Sequence, residues 1–104
     1  MASYYIDNQS DYSLQIAGEF IGSVDVSCDS CEVQPHSTIL LGTDAAFGSA
    51  PRPDQTIKHV RIYKNDTLKL DIHSPYPDSV WMRKKGKNEY DSDFTLSIRT
   101  KDVE

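Results

Sequence analysis

A chain of 104 residues with 38% hydrophobic residues and a net charge of −5 has the size of one domain, residues 1–104, and room for one modest core. The acidic balance argues against a phosphate-reading surface, which needs clustered cations, so no nucleic-acid partner is expected. No apolar run approaches the roughly 18 residues of a membrane-spanning helix, and twelve Asp against four Glu favour turns over helices.

The start, MASYYIDNQS, lacks the charged and apolar regions of a signal peptide. From there the apolar residues recur at period two, the pattern of half-buried strands. In DYSLQIAG, Tyr12, Leu14 and Ile16 share one face. In FIGSVDVSC, Phe20, Val24, Val26 and Cys28 share a parity opposite Ser23, Asp25 and Ser27. The run STILLG suits a strand covered on both faces. KHVRIYKNDTLKLDI reads as a hairpin whose buried set is Val60, Ile62, Leu68, Leu70 and Ile72. A two-residue loop, Asn65-Asp66, would place the apolar sets of the two arms on opposite faces. A three-residue loop, Lys64 to Asp66, pairs Ile62 with Leu68 and Val60 with Leu70, and is the expected register. PDSVWMRKK holds at most one helical turn, and RKKGK reads as a solvated turn around Gly86. DFTLSIRT closes the series with Phe94, Leu96 and Ile98 inward.

These elements predict an all-β fold: an antiparallel two-sheet sandwich, immunoglobulin-like in the broad sense, with about seven to eight short strands. The two cysteines of SCDSCE, Cys28 and Cys31, are the disulfide candidate. With Asp29-Ser30 as a hairpin tip, Cys28 faces Cys31 and Val26 faces Val33, at a spacing a disulfide can bridge. Two reduced core thiols are the next reading. Metal or redox chemistry is the third, with His36, His59 and His73 as conceivable further ligands, although their spacings match no familiar zinc pattern. A thioredoxin-like role wants a helix after the first cysteine, and EVQPH refuses one. No catalytic motif occurs, so no catalytic residue, cofactor or metal is assigned. The candidate ligand contacts are Phe47, in the long connection GTDAAFGSAPRPDQ, and the aromatics Tyr76, Trp81 and Tyr90. Exposed aromatic rings would stack on sugars or anchor a protein, whereas buried ones are core.

YYIDNQSDYSLQI, VQPHSTILLGTDAAFG and DFTLSIRTKD together resemble small exported lipoprotein-type domains of the Bacteroidetes. That resemblance implies a β-sandwich in the periplasm or at the cell surface, tethered through a lipidated cysteine preceding the mature domain. Membrane contact would come only through that tether, and the signal segment and its cysteine would precede Met1. It also favours an oxidised Cys28–Cys31 pair. The expected function is a monomeric, non-enzymatic cell-envelope module with a binding or accessory role toward a protein or glycan. The alternatives are a carbohydrate-binding module using the Tyr/Trp cluster and a metal or redox protein using Cys28 and Cys31.

Overall fold

Alternating apolar and polar residues must bury one face of each strand, and two sheets facing each other satisfy that demand. The computed structural model describes residues 1–21, 24–28, 30–45, 52–85 and 91–104. Nine strands form among them: β1 (Ala2–Asn8), β2 (Leu14–Phe20), β3 (Asp25–Val26), β4 (Ser30–Val33), β5 (Ser37–Asp44), β6 (Ile57–Lys64), β7 (Thr67–His73), β8 (Met82–Lys85) and β9 (Ser92–Ile98). A single helical turn, α1 (Pro53–Thr56), precedes β6, and a 3-10 turn spans Thr100–Asp102. The first sheet has the order β3-β5-β1-β9-β8 and the second β4-β2-β6-β7. The fold is the expected all-β sandwich, its strand count raised by short pieces such as the two-residue β3.

The centre of the first sheet is β1, which the sequence pattern did not single out. Ala2, Tyr4, Ile6 and Asn8 point inward and are fully buried. This strand pairs antiparallel with β5 and parallel with β9, with Tyr4 opposite Phe94 and Ile6 opposite Leu96. It is the parallel pairing in a sandwich otherwise joined antiparallel. Register brings the Tyr4 and Phe94 rings together, stacked at 5.4 Å, and Trp81 meets Tyr4 edge-on at 5.9 Å. Leu14, Ile16, Val33, Val60 and Ile62 of the second sheet complete the core. Tyr12 does not join them. It precedes β2, is 38% exposed, and its ring lies 4.1 Å beneath the Lys64 ammonium.

The β6–β7 hairpin corrects the expected register. Its loop is the two-residue Asn65-Asp66 pair, with φ of 51° and 63°, the left-handed conformation of a tight hairpin turn. Lys64 faces Thr67 and Tyr63 faces Leu68, and then a bulge lets Ile62 meet Leu70 and Val60 meet Ile72. One extra residue in β7 returns Leu70 and Ile72 to the core side, whereas Leu68, on the turn side of the bulge and expected among the buried set, is 47% exposed.

The segment around Cys28 also differs from expectation. It is no hairpin, because β3 pairs with β5 in the first sheet while β4 pairs with β2 in the second. Val26 lies opposite Gly42 and is 41% exposed; Val33 lies opposite Leu14 and is buried. Gly42 permits the approach of β3, since a Cβ there would sit 2.9 Å from the Asp25 carbonyl oxygen. A bulge leaves Leu41 without a partner on β1, and its carbonyl accepts the Ser27 and Cys28 N–H groups at 2.8 and 2.9 Å. The chain therefore turns a corner between sheets where two facing strands were expected. RKKGK is likewise no simple turn: Arg83, Lys84 and Lys85 form the exposed edge strand β8, where cations discourage edge-to-edge pairing. Gly86 and Lys87 lie outside the described residues.

Asn8 ties the two sheets together. Its buried amide Nδ2 donates to the carbonyls of Tyr12 (2.8 Å), Val33 (3.2 Å) and Gln34 (3.1 Å). Its Oδ1 accepts from the N–H and hydroxyl of Ser10, at 3.0 and 2.6 Å. A carboxylate of the same shape cannot donate and would bring a charge among carbonyl dipoles. Asn8→Asp is expected to lower the unfolding free energy at neutral pH by about 3 kcal/mol. Urea denaturation checks this, and a loss below about 1 kcal/mol would remove Asn8 as a structural tie.

Candidate functional site

Strand alternation that buries Val60 and Ile62 turns His59 and Arg61 onto the outer face of the second sheet. Register then sets two rows across it. Glu19, His59 and His73 lie side by side on β2, β6 and β7, and Ala17, Arg61 and Asp71 form the next row. The His59 Nε2 and Glu19 Oε2 atoms are 2.6 Å apart, and Arg61 Nε and Asp71 Oδ2 are 3.5 Å apart. Lys58, His59, Arg61, Asp71, His73 and Ser74 surround a shallow depression of about 310 Å³.

Its rim is set from α1. Pro53 occupies the first turn, where its missing N–H costs nothing, and the Gln55 side chain accepts the Arg52 N–H at 2.9 Å. Asp54 Oδ1 then accepts the Ser74 hydroxyl and the Tyr76 N–H, both at 2.9 Å. The Ser74 N–H donates to the Lys58 carbonyl at 3.0 Å. The last residue of β7, His73, is held beside this rim, its Nδ1 3.1 Å from the Ser74 carbonyl. His59 is mostly covered, and its Nδ1 is buried with no hydrogen-bond partner.

Of the aromatic candidates, Trp81 is 6% exposed and packs edge-on against both Tyr4 and Tyr76, so it is a core residue and not an open ligand contact. Tyr76 is half-buried, and its hydroxyl donates to the Ile57 carbonyl at 2.8 Å. The same covering that excludes water from a ring removes its stacking face. Phe47 and Tyr90 lie outside the described residues. Cys28 and Cys31 are joined by a disulfide, their Cα atoms 6.0 Å apart. It links the end of the β3 segment to a residue paired with Ile16 on β2, so it spans the corner between sheets. The histidines do not gather around it: His36 Nε2 lies 2.9 Å from Asp11 Oδ1, while His59 and His73 share the β6–β7 face. Sequence spacing offered no signal for the Glu19–His59–His73 row, because its members meet only through strand register.

Other buried polar groups serve the scaffold. The Tyr4 hydroxyl donates to Thr56 Oγ1 at 2.9 Å, and Thr56 donates to Asp44 Oδ2 at 2.7 Å. Burial pushes the Tyr4 phenol up to about 12; the Thr56 hydrogen bond opposes this in part and the nearby Asp44 charge adds to it. Burial, aided by Asp54, also raises the Tyr76 phenol. Both groups stay neutral in the folded protein while the unfolded chain ionises near pH 10. Their contribution is therefore fully present below pH 10 and is lost as pH rises through the folded values. Between pH 10 and 12 Tyr4 alone should remove on the order of 2 kcal/mol of stability. Tyr4→Phe should flatten that part of the decline and leave the share of Tyr76. Denaturation midpoints across pH 8–12 measure the difference, and parallel curves would contradict it.

No helix among the described residues is long and apolar enough to cross a membrane. The chain matches no protein-family model, no curated protein and no solved structure.

Proposed function

We propose that this protein is a non-enzymatic β-sandwich module of the cell envelope, exported to the periplasm or cell surface, with a binding or accessory role toward a protein or glycan partner. The observation that carries the reading is the Cys28–Cys31 disulfide at the corner between sheets, because such bonds persist in oxidising compartments. The resemblance to exported lipoprotein-type domains points the same way. Support for a non-enzymatic role comes from the buried polar side chains. Asn8, Ser10, Tyr4 and Thr56 spend their hydrogen bonds on holding strands and loops together, whereas catalytic groups converge on a substrate. The outer face of the second sheet, with its paired charges and shallow depression, is the surface assigned to the partner. The carbohydrate alternative is weaker, since Trp81 and Tyr76 pack on each other.

Fractionation of the source cells, combined with thiol alkylation before and after reduction, tests this reading. The protein should be recovered with the envelope, both sulfurs blocked until a reductant is added. Recovery from the cytosol with two alkylatable thiols would overturn it.

A further inference from the structure

We propose that His59 and His73 form a binding site for a divalent transition-metal ion of the zinc or copper class. The inference stands on the outer face of the second sheet and does not depend on the cellular compartment. His59 and His73 are directly opposed in the antiparallel β6–β7 ladder. Opposed residues in such a ladder have Cα atoms about 4.5–5.5 Å apart. Imidazoles projecting from one face at that spacing can converge on a common ion at bond lengths of about 2.0–2.1 Å.

Each ring already has one nitrogen engaged by an acceptor. His59 Nε2 donates to Glu19 Oε2 at 2.6 Å, and His73 Nδ1 donates to the Ser74 carbonyl at 3.1 Å. A metal-ligating histidine is oriented in this way, its second N–H held by a carboxylate or backbone carbonyl while the other nitrogen keeps its lone pair. In His59 the remaining nitrogen is Nδ1, which is buried and has no partner. A lone pair withdrawn from water and left unused is unfavourable, and a cation shared with His73 relieves it. His73 is exposed, so its ring can turn Nε2 toward the same point. Asp71 pairs with Arg61 at the depression, and Glu19 pairs with His59 beside it, so two carboxylates offset the cationic side chains near the ion. Among the described residues, no group of three or more His, Cys, Asp or Glu is placed to hold a metal. The protein therefore supplies two ligands, and water supplies the others from the open side of the depression, where His73 is exposed. Imidazole as the only protein donor favours zinc, copper or nickel over calcium or magnesium. Glu19 is a positioning residue, acting through His59.

The test is calorimetric titration of the tag-free protein with zinc chloride and, separately, with copper(II) chloride. The expected result is saturable binding of one ion per chain by at least one of the metals. His73→Ala, a substitution at an exposed position, should weaken that binding at least tenfold while leaving the metal-free melting temperature unchanged. Glu19→Gln should weaken it by about 10–100-fold, the usual effect of removing an orienting carboxylate. His36→Ala, within the β4–β5 connection and paired with Asp11, should leave it unchanged. Failure of both metals to bind, or equal binding by the parent protein and His73→Ala, would overturn the proposal. So would a loss of binding that follows His36.

Discussion

The sandwich depends on one buried amide. Two sheets that touch only through apolar side chains can slide, since hydrophobic contact is non-directional. Asn8 removes that freedom. It belongs to β1 in the first sheet, yet its Nδ2 reaches the carbonyl of Val33 on β4 and that of Gln34 just beyond it in the second. Its Oδ1 folds the intervening turn by taking both the N–H and the hydroxyl of Ser10. Asparagine suits the position because one planar group both donates and accepts. A fully satisfied buried polar group of this kind specifies one alignment of the sheets, where a purely apolar contact would tolerate several.

The legible part of the fold was the alternation. Leu14 and Ile16, Val60 and Ile62, and Phe94, Leu96 and Ile98 all bury as their parity demands. What parity leaves open is the identity of a strand's neighbour. Val26 and Val33 have the right parity to face each other across a tip, yet they pair with Gly42 and Leu14 in different sheets. The missing information lay in Gly42, whose lack of a side chain admits β3 beside β5. A bulge is similarly invisible to strict alternation, which is why the Asn65-Asp66 loop is one residue shorter than alternation predicts. β1 escapes notice because a tyrosine and an asparagine share its inner face with alanine and isoleucine. Those residues suit a central strand only when their polar atoms find partners, and the partners are distant in sequence.

The candidate site was illegible for the same reason. Glu19, His59 and His73 are 40 and 14 residues apart along the chain and form no motif. They become neighbours only once the β2–β6 and β6–β7 registers are fixed, each interrupted by a bulge. Trp81 and Tyr76, by contrast, are conspicuous in the sequence, yet they pack edge-on against each other at the core. Trp81 closes the end of the Tyr4–Phe94 stack, where its area contributes to cohesion between layers. In a small sandwich, chemistry on an outer sheet face is written in the pairing of strands and not in their local composition.

The parallel pairing of β1 with β9 has a consequence for the order of assembly. Tyr4 and Phe94 are adjacent in the sheet but 90 residues apart in the sequence, so the loop that joins them must close over nearly the whole chain. During synthesis β1 emerges first and can find β5 only after about 40 residues, and its other edge stays open until β9 leaves the ribosome. A strand bearing tyrosine, isoleucine and alanine on one face, with an unpaired edge, can recruit other chains in that interval. Contacts of such long range also place folding at the slow end for domains of this size. The most deeply buried strand of the finished protein is thus the one that waits longest for its final neighbour.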